Sequence, residues 1–129
     1  MQGALAEAAS VRGDFESLLT CREQELLMSR ELGWTVMAQA AESNVCAALI
    51  ELGRFNDAAE RAAELLAQID AVGSETNGNL PWVLNVLLEA LIRLERYPEA
   101  QALVPRSISA GTPTWVRCAA MVWRRAFWG

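Results

Sequence analysis

Three short strings in this chain resemble one another: Arg-Gly-Asp-Phe-Glu-Ser-Leu at 12–18, Gly-Arg-Phe-Asn-Asp-Ala-Ala at 53–59 and Glu-Arg-Tyr-Pro-Glu-Ala-Gln at 95–101. Their aromatics, Phe15, Phe55 and Tyr97, stand 40 and 42 residues apart, and each is followed three residues later by Leu18, Ala58 or Ala100. A turn plus a helix start that returns at a fixed period near 40 marks an array of stacked helix pairs. No single pair can bury its own apolar stripes, so the period constrains the fold more than any local propensity does.

The clearest pair spans Ala41 to Val72. Val45, Ala48, Leu49 and Leu52 recur at three- and four-residue steps, and Gly53 can take the left-handed conformation that ends a helix. Phe55, Ala58, Ala62, Leu65, Leu66 and Ile69 then restart the period as the inner stripe of a second helix. The same reading places a short opening helix before Gly13 and a helix over about 15–32, with Asp14 as its N-cap and Phe15, Leu18, Leu19, Leu26 and Leu27 facing inward. Helices over about 35–52 and 55–71 follow, and Gly73–Asn79 reads as a loop. Leu80-Pro81 opens the next helix, with Trp82, Leu84, Leu87, Leu88, Leu91 and Leu94 on its apolar side. The helix from Tyr97 meets Pro105, which predicts a kink or a stop near Leu103. Thr112-Pro113 starts a terminal helix over about 113–127.

The apolar fraction is dominated by Ala and Leu, aromatics make up 7%, and β-branched residues are few, a balance that favours helices over sheets. The expected fold is all-α: a superhelix of about three stacked hairpins (approximately 1–33, 34–72 and 80–110) plus the terminal helix, in one domain spanning 1–129. Every basic residue is Arg, which with the Ala content suggests a bacterial, GC-rich coding bias. A net charge of −5 argues against a general nucleic-acid surface. Three widely spaced cysteines, Cys21, Cys46 and Cys118, form neither a disulfide framework nor a zinc spacing and fit a small-apolar role in a reducing cytoplasm. The N-terminus lacks the features of a signal peptide, and no apolar run is long enough to span a membrane, so a soluble protein is expected.

The stretch Ala48 to Leu65, with its Leu-Gly-Arg-Phe turn, resembles the tetratricopeptide repeat, and Leu94-Glu95-Arg96-Tyr97-Pro98-Glu99-Ala100 looks like a second copy of that turn. The period near 40 is similar to the long-helix variants in kinesin light chains and in sensor regions of bacterial transcription activators and nucleotide cyclases. The resemblance covers about residues 12–110. It departs from the pattern at Arg22, where a small residue belongs, at Glu95, which replaces the turn glycine, and at Pro105. It implies a right-handed superhelical scaffold whose concave face binds peptides or proteins and which has no catalysis of its own.

In that family the first helix of each pair lines the concave face. The resemblance therefore carries the lining to Ala40, Ser43, Asn44, Ala47 and Glu51 in the second pair and to Trp82, Asn85, Glu89 and Arg93 in the third. Asn44 matches a peptide-binding asparagine of the clamp-type members. Trp82 and Val86 stand where the clamp has basic residues, so a carboxylate clamp is not expected. Trp34, Trp82 and Trp115 each sit near the start of a first helix, where they would plug gaps between pairs.

Catalysis has little to draw on: the chain has no His, and no phosphate loop, nucleophile elbow or metal-spaced cluster appears. Neither a cofactor nor a metal is expected. The terminal helix carries Trp115, Val122, Trp123 and Phe127 with nothing after it to cover them, which predicts self-association through this end, as a homo-oligomer. The functional expectation is a non-enzymatic assembly module that binds a protein or peptide. The alternative is a small-molecule-responsive sensor domain with a pocket near Trp82 and Asn85.

Overall fold

The computed structural model describes residues 14–73 and 77–111. They form five α-helices: α1 Phe15–Glu31, α2 Thr35–Glu51, α3 Phe55–Val72, α4 Leu80–Arg93 and α5 Tyr97–Ala110. There is no strand among the described residues, and the fold is all-α. Each helix packs antiparallel on the next, and α2 also packs on α4.

One turn geometry, used three times, produces this zigzag. After α2, Gly53 takes φ +78°; its N–H donates to the Ile50 carbonyl, and the Arg54 N–H donates to that of Leu49 at 2.8 Å. This is the paired closing bond that satisfies the last carbonyls of a helix and reverses the chain. Gly33 at φ +72° does the same after α1, donating to Arg30 while Trp34 donates to Ser29. Glu95 does it after α4, at φ +59°, donating to Ile92 while Arg96 donates to Leu91. Replacement of the turn glycine by Glu95 has therefore left the turn intact. The N-cap expected at Asp14 is formed: its carboxylate accepts from the Ser17 N–H at 3.2 Å and the Ser17 hydroxyl at 2.7 Å.

The core lies where the inner stripes meet. Val45 and Cys46 of α2, Ala58, Ala62 and Ile69 of α3, and Val83, Leu84 and Leu88 of α4 are fully buried. Small Ala58, Ala59 and Ala62 let the helix axes approach, while Ile69, Leu84 and Leu88 fill the volume between them. Helix α4 sits deepest, with only its ends and the Glu89 side reaching water.

The helices α1, α3 and α5 do not pack directly on one another among the described residues. Ion pairs tie them instead. Arg54, at the head of α3, reaches Glu16 of α1 at 3.3 Å; Arg61 of α3 reaches Glu23 of α1 at 2.6 Å; Arg106 of α5 pairs with Asp70 of α3. Glu16–Arg54, Glu23–Arg61 and the Gln39–Asn77 hydrogen bond each join residues 38 positions apart. Each partner thus lies in the next helix pair, two to four positions short of the 40- and 42-residue spacing of the strings.

Some expectations are corrected. Pro105 does not stop α5, which continues to Ala110. Pro105 and Gln101, whose carbonyl would have accepted the missing N–H, both face solvent, where water can satisfy the orphan group. Leu27 is 58% exposed rather than inward, because Leu26 occupies the buried position one step, about 100°, round the helix. Trp34 and Trp82 do not plug gaps: they are 55% and 42% exposed, and Val83 and Val86 take the buried places on α4. The opening helix before Gly13 and the terminal helix with Trp115, Val122, Trp123 and Phe127 lie outside the described residues.

Candidate partner-binding face

Met37, Ala40, Asn44, Ala47 and Glu51 of α2 are spaced three or four apart and so share a face; Met37 and Glu51 are exposed, Ala40, Asn44 and Ala47 are half-buried, and Thr35 and Val36 of the first turn are exposed as well. Ser43 belongs to the other side: it is fully buried, and its hydroxyl donates to the Gln39 carbonyl at 3.1 Å. On α4 the open positions are Trp82, Glu89 and Arg93, while Asn85 is only 8% exposed and is turned inward rather than onto the open face.

The two helices are held in register at one end by the segment before α4. The Asn77 side-chain amide donates to Gln39 Oε1 at 3.0 Å, and that of Asn79 donates to the Val36 carbonyl at 3.2 Å and to Gln39 Oε1 at 3.3 Å. Asn79 is in turn fixed by its own N–H, which donates to Asn77 Oδ1 at 2.8 Å. These bonds place the first turns of α2 and α4 side by side. At the far end, the Arg93 guanidinium lies 5.8 Å from the Phe55 ring centroid and 3.9 Å from Glu89. The face therefore offers an indole at one end, the Asn44 amide as both donor and acceptor in the middle, and a loosely paired Glu89–Arg93 with Glu51 at the other end.

Burial pushes the Cys46 thiol up to about 12, with the Glu42 carboxylate adding to the effect and Arg61 opposing it. No group of His, Cys, Asp or Glu suited to a metal ion occurs among the described residues. No described helix is long and apolar enough to cross a membrane.

Two features went unforeseen in the sequence. The first is a charge cluster beneath the face. Glu42, on the inner side of α2, accepts from Arg61 at 2.7 Å and lies 3.6 Å from Arg30, while Arg61 also holds Glu23. Arg61 thereby fastens α1, α2 and α3 together, and its hydrogen bond to Glu42 raises its pKa above the ordinary arginine value. The signal was present: Glu42 interrupts the stripe that continues through Val45, Cys46 and Leu49. The second is a groove of about 440 Å³ between α3 and α5, floored by Leu87 and Leu91 and edged by Glu60, Arg96 and Glu99. It opens on a different side of α4 from Trp82 and Glu89, so it is not the pocket expected near Trp82 and Asn85.

Exposed apolar bulk is concentrated elsewhere, at one end of the molecule. Leu27, Met28 and Leu32 close α1, and Trp34, Val36 and Met37 open α2. Val72 at the end of α3, Trp82 at the start of α4 and Ile108 at the end of α5 share that end, because the helices alternate in direction.

Comparison of the chain with protein-family profiles, curated proteins and solved structures found no match.

Proposed function

We propose that the chain is a non-enzymatic assembly module of tetratricopeptide type, which holds a peptide or partner protein along the α2–α4 face. The observation that supports this most directly is the stripe Met37–Ala40–Asn44–Ala47–Glu51, exposed at its two ends and half-buried between them, beside Trp82, Glu89 and Arg93. Small alanines on the stripe leave room for an extended backbone, the Asn44 amide can pair with a peptide group, and Trp82 supplies an aromatic anchor of the kind in which binding energy concentrates. The ordered contacts beneath, from Gln39 to Asn77 and from Arg61 to Glu42, hold the face rigid, so little ordering is needed on binding.

Selection from a random peptide display library tests this reading. Peptides that bind the intact chain should lose roughly tenfold or more in affinity with Asn44→Ala and with Trp82→Ala, a loss of about 1.4 kcal/mol or more. Selected peptides indifferent to both substitutions would refute the face. A thermal shift with metabolite-sized ligands and none with peptides would favour a small-molecule sensor instead.

A further inference from the structure

We propose that the apolar end of the bundle is a homodimer surface, on which a second copy of this chain docks end to end through the α1–α2 turn. This surface adjoins the α2–α4 face and shares Met37 and Trp82 with it; Val36 and Leu27 belong to this surface alone and Asn44 to that face alone.

The first argument is the polarity of the molecule. All nine large apolar side chains that are exposed among the described residues lie at the end where α1, α3 and α5 finish and α2 and α4 begin. The opposite end presents Asp14, Glu16, Arg54, Asp57, Arg96 and Glu99, all exposed. Two copies stacked head to tail would set an apolar end on a charged one and strand those charges away from water. Two copies meeting apolar end to apolar end bury like against like. That arrangement uses the same patch on both sides, so it closes as a two-fold dimer instead of growing into a filament.

The second argument is size. With Leu27, Met28, Leu32, Trp34, Val36 and Met37 each more than half exposed, and three further side chains beside them, the patch presents on the order of 1,000 Å², beyond the few hundred Å² usual on a monomer and enough for the about 800 Å² per partner of a standard interface. Its make-up of Trp, Met and Leu without a central charge is that of an interface core. Of the charges that border it, Arg30 and Arg106 are matched, by Glu42 at 3.6 Å and by Asp70, while Glu31 at the end of α1 is exposed and must stay at the wet rim of the interface.

The test is sedimentation of the full chain over a concentration series, with Val36→Glu, Met37→Glu, Asp57→Lys and Trp123→Ser variants, circular dichroism confirming that each remains helical. Val36 and Met37 are 69% and 57% exposed, so the substitutions leave the core untouched. The full chain should sediment as a dimer. Each glutamate variant should raise the dissociation constant by roughly 30-fold or more, while Asp57→Lys and Trp123→Ser leave it within about threefold. A full chain that stays monomeric at 100 μM overturns the proposal, as it would if residues 112–129 or another protein occupy this end. A dimer abolished by Trp123→Ser but not by Met37→Glu overturns it in favour of association through 113–127. Peptide binding lost with Asn44→Ala while the dimer persists leaves this surface intact, so the two readings fail independently.

Discussion

At the scale of single residues, Glu95 and Cys46 show how one position can depart from a pattern without breaking it. Glu95 holds φ +59° where the two equivalent turns place glycine, and its N–H donates to Ile92 while that of Arg96 donates to Leu91, as in those turns. A side chain in this region strains the backbone, and glycine removes the strain while adding freedom to the unfolded chain. Glu95→Gly should therefore raise stability by about 0.5–1 kcal/mol, read as a higher urea midpoint at unchanged m-value. Cys46 is fully buried, and its thiol is pushed up to about 12. At pH 8 it should resist alkylation in the native chain, whereas Cys21, which is half-buried, reacts first; peptide mapping by mass spectrometry separates the two. The sign of its linkage follows. Above its ordinary value of 9.0 the unfolded chain loses the thiol proton while the folded chain keeps it to about 12, so this group lowers stability as pH rises across that window. The turn at 95 was legible as a second copy of the one after α2, although its positive φ was not; the shift at Cys46 comes first from burial, which depends on the helices packed around it, with Glu42 adding to it and Arg61 opposing it.

At the scale of elements, helix boundaries were largely legible because caps and breakers are local. Asp14, Gly33, Gly53 and Leu80-Pro81 mark the ends where the structure has them. The expected stop at Pro105 failed because a proline whose missing donor faces water costs a helix less than one in a core. What joins α1, α2 and α3 is Arg61, and this lay hidden, since Glu23, Glu42 and Arg61 come from three separate helices. Arg61→Ala leaves Glu42 in a largely buried site with only the distant Arg30, and should cost about 2–4 kcal/mol by urea denaturation. The double variant Arg61→Ala with Glu42→Leu should recover much of that loss, because an apolar pair needs no counter-charge. A double variant no more stable than the single would show that Arg61 acts through Glu23 alone.

At the scale of the whole molecule, α4 is the element that the others enclose: ten of its residues are buried, and it packs on α2, α3 and α5. Its amides should exchange slowest with deuterium, approaching the global unfolding free energy, while α1, which among the described helices packs on α2 alone, exchanges faster. Protection greatest in α1 would contradict this ordering. The sequence by itself determined the helices, their approximate ends and the period near 40, because propensity, caps and apolar spacing act within a few residues of chain. The resemblance also pointed to a lining along α2, of which Asn44 and Glu51 reach the surface while Ser43 is buried. Only the tertiary structure decided that Asn85 turns inward while Trp34 and Trp82 remain in water, that arginines bridge α1 to α3 and α3 to α5, and that exposed apolar bulk gathers at one end. Those outcomes depend on which side of each helix a neighbour covers and on the alternation of helix direction, and both are properties of the assembled chain, not of any stretch of it.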